Sequence, residues 1–103
     1  MTNVVEIVSF TAQDNVTDEQ ILASCEPVNA FLSAQPGFLY RSLAKDEGFG
    51  WVDIIYWQDM TTAKQGSSDF MDSAGGRQFM ALIDLDSCVI KHLATSNVLI
   101  GYD

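Results

Sequence analysis

The chain has 103 residues, enough for one domain with a single core. Apolar residues make up 48% of it and aromatic residues 11%, which argues against disorder despite a formal net charge of -9. Five basic residues against fourteen acidic ones, with no basic cluster, argue against nucleic acid and anionic membranes as partners.

Four segments rich in β-branched and aromatic residues are predicted as strands, at residues 4–10, 38–45, 49–57 and 88–93. The first helix begins after the first strand, where Thr17 and Gln20 have the spacing of a capping box. We expect this helix to end at Ala34, because Pro36 and Gly37 follow. The second and third strands form a hairpin across residues 46–48, a three-residue loop that ends in glycine.

A second helix is predicted from the cap at Asp59 to about Ala74, where Gly75 and Gly76 end it. Residues 77–83 are predicted to add one short turn of helix, and residues 84–87 a loop before the last strand. The tail, residues 95–103, contains the apolar triplet VLI. It is expected to form either a short fifth strand or an arm that crosses to another chain.

The order strand, helix, strand, strand, helix, strand predicts an α+β fold, the ferredoxin-like split β-α-β arrangement, over residues 1–103 as one domain. Its four-stranded antiparallel sheet would carry two helices on one face. No segment has the length of a membrane-spanning helix and the amino terminus lacks the pattern of a signal peptide, so a cytoplasmic protein is expected. Cys25 and Cys88 lack metal or redox spacing and are expected to be small buried residues.

Alternation divides the side chains of the four strands into two sets. The first set, expected to face the helices, is Val5, Ile7, Phe38, Tyr40, Val52, Ile54, Tyr56, Val89 and Leu93. The second set is Val4, Glu6, Val8, Phe10, Leu39, Arg41, Leu43, Trp51, Asp53, Ile55, Trp57, Cys88, Ile90 and His92. The second set is apolar too, and two helices cover only one face. We therefore expect a second copy of the chain to cover it, sheet against sheet.

One strongly polar residue from each strand belongs to the second set. These four residues, called the polar row, are His92, Glu6, Asp53 and Arg41 in their expected order across the sheet. A loop at residues 46–48 would place Arg41 opposite Asp53, as a buried ion pair. Trp57, Trp51, Leu39 and Ile55 surround this row and are the expected ligand-binding residues.

The strand "VVEIVSF", the segment "QPGFLYRSL" at residues 35–43 and "WVDIIYWQD" at 51–59 resemble the dimeric α+β-barrel superfamily, and within it the antibiotic-biosynthesis monooxygenases. The resemblance implies a homodimer with an interior for aromatic ligands. Trp57 matches the tryptophan that ends the third strand in the monooxygenase and haem-degrading branches. The asparagine and histidine of haem degraders have no match, because the first strand carries Glu6 and the second helix has no histidine.

The polar row allows two interpretations. In the first, His92 or Glu6 removes a proton from a small phenolic or enolic molecule and Arg41 stabilises the oxyanion, which then reacts with oxygen or isomerises without a cofactor. In the second, the chain binds a ligand without catalysis, or the row only fixes the register of a dimer. A metal held by His92, Glu6 and Asp53 is not expected, because Arg41 competes for Asp53.

Overall fold

A computed structural model describes residues 2–48 and 50–101. The strands are β1 (Val4–Ala12), β2 (Phe38–Lys45), β3 (Gly50–Trp57) and β4 (Ile83–Ala94), and the helices are α1 (Asp18–Ala23), α2 (Cys25–Ser33), α3 (Met60–Asp72) and α4 (Ala74–Met80). The sheet is antiparallel in the order β2-β3-β1-β4. This order confirms the ferredoxin-like fold. The helices lie on one face of the sheet as two consecutive pairs, α1 with α2 and α3 with α4.

The capping box at the start of α1 is present as predicted, with the Gln20 backbone N–H donating to Thr17 Oγ1 at 3.2 Å. The predicted first helix is broken at Ser24 into α1 and α2. Pro27 explains the break, because a proline has no N–H to donate to the carbonyl of Ala23 four residues earlier.

The second predicted helix is also divided. Asp59 caps α3 by accepting the Thr62 N–H at 2.8 Å, as expected. Gly75 and Gly76 were predicted to end a helix, and this is wrong because they lie in the first turn of α4. The Ser73 hydroxyl explains the difference, since it accepts the Gly76 N–H at 2.9 Å and starts a new helix there.

The hairpin between β2 and β3 differs from its predicted register. Lys45 pairs with Trp51 and Leu43 pairs with Asp53, so Arg41 lies opposite Ile55 and not opposite Asp53. The turn is wider than predicted because the side chain of Asp46 accepts the N–H groups of Gly48 and Gly50. The start of the β3 strand predicted at Phe49 lies outside the described residues.

The last strand is longer than predicted. It begins at Ile83, so the loop expected at residues 84–87 is wrong. β1 runs on to Ala12 and pairs with Ile83, which extends the sheet, and the register shifts between Ser9 and Thr11. Residues 95–101 form no strand, and the predicted fifth strand is absent from this described part of the tail.

The predicted assignment of the two sheet faces is wrong. The second set of side chains, with both tryptophans and the polar row but without Leu39, lies beneath the helices of its own chain. Trp51 and Trp57 are buried in the core of the single chain, at 5% and 1% exposure. A helix provides a hydrogen-bond partner for this face, since Asn29 of α2 accepts a hydrogen bond from Arg41. The polar row therefore cannot fix the register of a sheet-to-sheet dimer.

The first set of side chains forms the open face of the sheet, on the side opposite to the helices. Val89 and Leu93 on this face are 49% and 45% exposed, and Tyr40 is 55% exposed. Phe38 is an exception, because its ring packs edge to face on Trp57 on the helix side. A register shift between Phe38 and Tyr40 separates these two residues. Among the described residues, no helix is both long and apolar enough to cross a bilayer.

Candidate active site

The polar row lies between the sheet and the helices, and Arg41 and Asp53 form its first pair. Arg41 Nε donates to Asp53 Oδ1 at 3.0 Å and Nη2 donates to Oδ2 at 2.7 Å. Both side chains are only 6% exposed. Arg41 reaches Asp53 across the diagonal of the β2-β3 ladder, which its length allows. The bidentate geometry makes this a strong, buried, charge-assisted pair.

Arg41 also joins the sheet to α2, because its Nη1 donates to Asn29 Oδ1 at 2.8 Å. Burial would lower the pKa of Arg41, but the hydrogen bonds and charge of Asp53 outweigh it and raise the pKa above the usual value. Three N–H groups of the guanidinium are thus engaged by its neighbours. Arg41 acts as a clamp between β2, β3 and α2.

Glu6 and His92 form the second pair of the polar row, and Trp57 binds the same carboxylate. Trp57 Nε1 donates to Glu6 Oε1 at 3.0 Å, and His92 Nε2 lies 3.3 Å from that oxygen. His92 Nε2 is fully buried and makes no hydrogen bond of good geometry within the described residues. Burial raises the pKa of Glu6, and the contacts with Trp57 and His92 only partly oppose this. Glu6 is thus a buried carboxyl group whose neutral form is favoured more than in water.

The position of Trp57 depends on Gly66 in α3. A Cβ added to Gly66 would lie 2.2 Å from the Trp57 ring, so only a glycine lets the helix pass this close. A lone glycine in a helix interior was the available signal for a close approach, and it was missed.

A cavity of about 40 Å³ lies between the sheet and helices α2, α3 and α4. Its polar lining consists of Glu6, Asp53 and Ser67, and the remaining lining is apolar. Met71 and Ile90 also line it and are 47% and 44% exposed, which places part of its wall at the surface. This volume holds a few water molecules.

The predicted site residues occupy four different places in the structure. Four of them line the cavity: Glu6, Asp53, Ile55 and Trp57. Arg41 lies behind Asp53 as its ion-pair partner, and His92 lies beside Glu6, with Nε2 3.3 Å from the carboxylate. Trp51 is buried elsewhere, with Lys45 Nζ 5.5 Å from its ring centre. Leu39 lies with Tyr40 and Tyr56 beside the tail, because the register shift in β2 moves it to the open face.

The helices contribute lining residues that alternation along the strands could not identify. They include Ser67, Phe70 and Met71 of α3 and Phe79 and Met80 of α4.

Within residues 2–48 and 50–101, no three His, Cys, Asp or Glu side chains come together so as to hold a metal ion. Cys25 and Cys88 are unpaired thiols and are half-buried, less than the sequence suggested.

Comparison with solved structures shows the same fold in several oxygenases. SnoaB, a cofactor-independent oxygenase from Streptomyces nogalater, superposes with a TM-score of 0.70 at 17% identity over 97% of both chains. The monooxygenase ActVA-Orf6 of Streptomyces coelicolor, in complex with nanaomycin D, has a TM-score of 0.73 at 15% identity over 98% of this chain and 94% of its own.

A dimeric ferredoxin-like protein of unknown function from Thermobifida fusca has a TM-score of 0.67 at 14% identity over 91% of this chain and 92% of its own. No protein-family model matches the sequence, and a search of curated proteins gives no match. The chain therefore shares the ferredoxin-like fold of these proteins, as the resemblance implied.

Proposed function

We propose that this protein binds a small phenolic molecule in the cavity beneath its helices and oxygenates it with dioxygen. One observation carries the proposal: Glu6, a buried carboxyl group with a raised pKa, is hydrogen-bonded to Trp57 and lines an otherwise mostly apolar cavity. An apolar pocket with a few polar groups is the usual anatomy of a small-molecule site. The likeness to SnoaB and to ActVA-Orf6 supports oxygen chemistry in particular.

The reaction balances with dioxygen as the only co-reactant, because a phenol and dioxygen give a quinone and water. Glu6 takes the hydroxyl proton, the phenolate passes an electron to dioxygen, and a C–O bond forms at the ring carbon para to the hydroxyl. Glu6 then returns its proton to the outer oxygen. Loss of the ring C–H proton breaks the O–O bond and releases hydroxide, and the two leave as water.

The other members of the polar row act through their neighbours in this proposal. His92 lies behind Glu6 and adjusts the affinity of the carboxylate for a proton. Arg41 holds Asp53 in the cavity wall and does not itself line the cavity, so we assign it a positioning role. This differs from the oxyanion role expected for Arg41, and Ser67 is the hydroxyl donor closer to a bound phenolate.

An aromatic ring occupies more volume than a few water molecules, so its binding needs a wider cavity than the 40 Å³ present here. Met71 and Met80 line the cavity and have unbranched, flexible side chains that can rotate to make room. Ser73, between α3 and α4, is a second point of adjustment, because the helix is already interrupted there. We therefore infer that a ligand enters by moving these side chains and the α3-α4 pair.

We infer that a second copy of the chain covers the open face of the sheet. The exposed apolar residues Tyr40, Val89 and Leu93 would lose contact with water there, and a copy offers the same apolar surface in return. The likeness to the dimeric protein of Thermobifida fusca supports this arrangement. Sedimentation velocity of the intact chain tests it, and a monomer at micromolar concentration would contradict it.

The oxygenase proposal is tested by oxygen uptake with a panel of monocyclic and bicyclic phenols, with quinone formation followed by absorbance. Glu6→Gln should remove turnover, because the amide cannot take the proton, while Glu19→Gln on the exposed face of α1 should not change it. Ligand binding without oxygen uptake by any phenol would favour the non-catalytic interpretation. Equal turnover by Glu6→Gln and the original chain would refute the role of Glu6.

A further inference from the structure

The charged lining of the cavity is entirely acidic. Glu6 and Asp53 are its charged residues, and no lysine, arginine or histidine of the described chain lines it. The nearest guanidinium, that of Arg41, lies behind Asp53 and already gives three of its N–H groups to Asp53 and Asn29. A bound molecule therefore meets no cation in the cavity wall.

Most hydrogen-bonding atoms in the cavity wall are already engaged by other groups of the protein. Both oxygens of Asp53 accept from Arg41, and the Trp57 N–H is donated to Glu6 Oε1. In the described part of the chain, no hydrogen bond reaches Glu6 Oε2. Glu6, which lines the cavity, thus keeps Oε2 as an unoccupied acceptor, and the Ser67 hydroxyl is the polar group that the helices contribute to the described lining.

From this arrangement we propose that the cavity selects neutral aromatic molecules that donate a hydroxyl to Glu6, and that it excludes aromatic carboxylates, sulfonates and phosphates. An anion that enters would lose its hydration without gaining a cation or a set of N–H donors, and a buried charge without such partners is unfavourable. A neutral phenol loses little and gains an acceptor. This selection by charge rests on the proposed function, because it concerns the substrate of the same cavity.

The test compares p-hydroxybenzoate with its methyl ester at neutral pH, two ligands that share a ring and a free hydroxyl but differ in charge. Binding is followed by the indole N–H NMR resonance of Trp57, identified by its loss in Trp57→Phe. The ester should bind more tightly by about tenfold or more, equivalent to about 1.4 kcal/mol.

A gain-of-function variant separates charge from the greater size and apolarity of the ester. Met71 lines the cavity and is 47% exposed, so Met71→Lys can place an ammonium group at the rim and keep its stem against the apolar wall. The difference in affinity between ester and carboxylate should shrink in this variant by about tenfold. Met71→Leu is the charge-neutral control, which reports any effect of altering this part of the wall on the affinities of both ligands.

Each outcome bears on one of the two proposals. If neither ligand nor any larger phenol shifts the Trp57 resonance, the binding function proposed for the cavity fails. If both ligands shift it with equal affinity, the selection by charge is refuted and the function stands. If Met71→Lys leaves the preference for the ester unchanged, charge is not its cause, and the inference is refuted by that result as well.

Discussion

Replacing Asp53 by asparagine tests the energetic role of the buried Arg41–Asp53 pair. The variant keeps the size of the side chain but removes its charge, and leaves the guanidinium of Arg41 in a site where each side chain is only 6% exposed. Removing one partner of such a pair costs about 3–5 kcal/mol. Because asparagine retains one acceptor for Arg41, we expect the lower end, about 3 kcal/mol of unfolding free energy.

The assay is urea unfolding at a fixed protein concentration, since an assembly would make stability depend on concentration. Asp18→Asn is the matched control. It breaks the Lys45–Asp18 pair, whose N–O distance is similar at 2.6 Å but whose side chains are 34% and 52% exposed. We expect it to cost about 1 kcal/mol or less, because water screens an exposed pair.

A double-mutant cycle with Arg41→Met completes the experiment. Removing both charges should cost less than Asp53→Asn alone, because no guanidinium is then left buried without a carboxylate. The reasoning is refuted if Asp53→Asn and Asp18→Asn cost the same, since burial would then make no difference. It is also refuted if the costs of Arg41→Met and Asp53→Asn simply add.

Three further predictions concern Gly66, Glu6 and Thr17. Gly66→Ala should cost about 1–3 kcal/mol by overpacking against Trp57 and should shift its indole resonance; an unchanged urea midpoint would contradict the contact. Burial raises the pKa of Glu6 in the folded chain, so folding favours the protonated carboxyl group. As pH rises above 4.5, the unfolding free energy of the original chain should therefore fall relative to that of Glu6→Gln. Urea unfolding at several pH values measures both, and parallel pH profiles would contradict the prediction. Thr17→Ala should lower the unfolding free energy by about 1 kcal/mol, because the side-chain cap of α1 is lost. The thermal unfolding midpoint checks this, and Thr61→Ala, at an exposed position in the first turn of α3, is the control.

Local sequence signals predicted the elements well where one residue type determines the backbone. The capping residues Thr17 and Asp59 start α1 and α3 as expected. The predictions were wrong where a polar side chain at the start of a turn bonded to the backbone and changed its path. Ser73 restarts a helix that Gly75 and Gly76 seemed to end, and Asp46 widens a turn whose length determined the hairpin register.

The strand residues of the candidate site could be predicted from the sequence, but the helix residues could not. Alternation along the strands placed Glu6, Arg41, Asp53 and His92 together, and they do share one face, as two pairs in close contact. Alternation also assigned Leu39 to that face, which the register shift in β2 contradicts. The wall contributed by the helices could not be predicted, because strand periodicity carries no information on which helix side chains lie above the sheet.

By itself, the sequence determined the order of the strands along the chain, their order in the sheet and, outside the register shift at Phe38 and Leu39, the division of the side chains into two sets. These depend on local propensity, on connection rules and on the two-residue period of a strand. Only the tertiary structure decided which set the helices cover. Both sets are apolar, so hydrophobicity does not distinguish them. The choice depends on contacts between distant segments, namely Asn29 with Arg41 and the space that Gly66 leaves for Trp57.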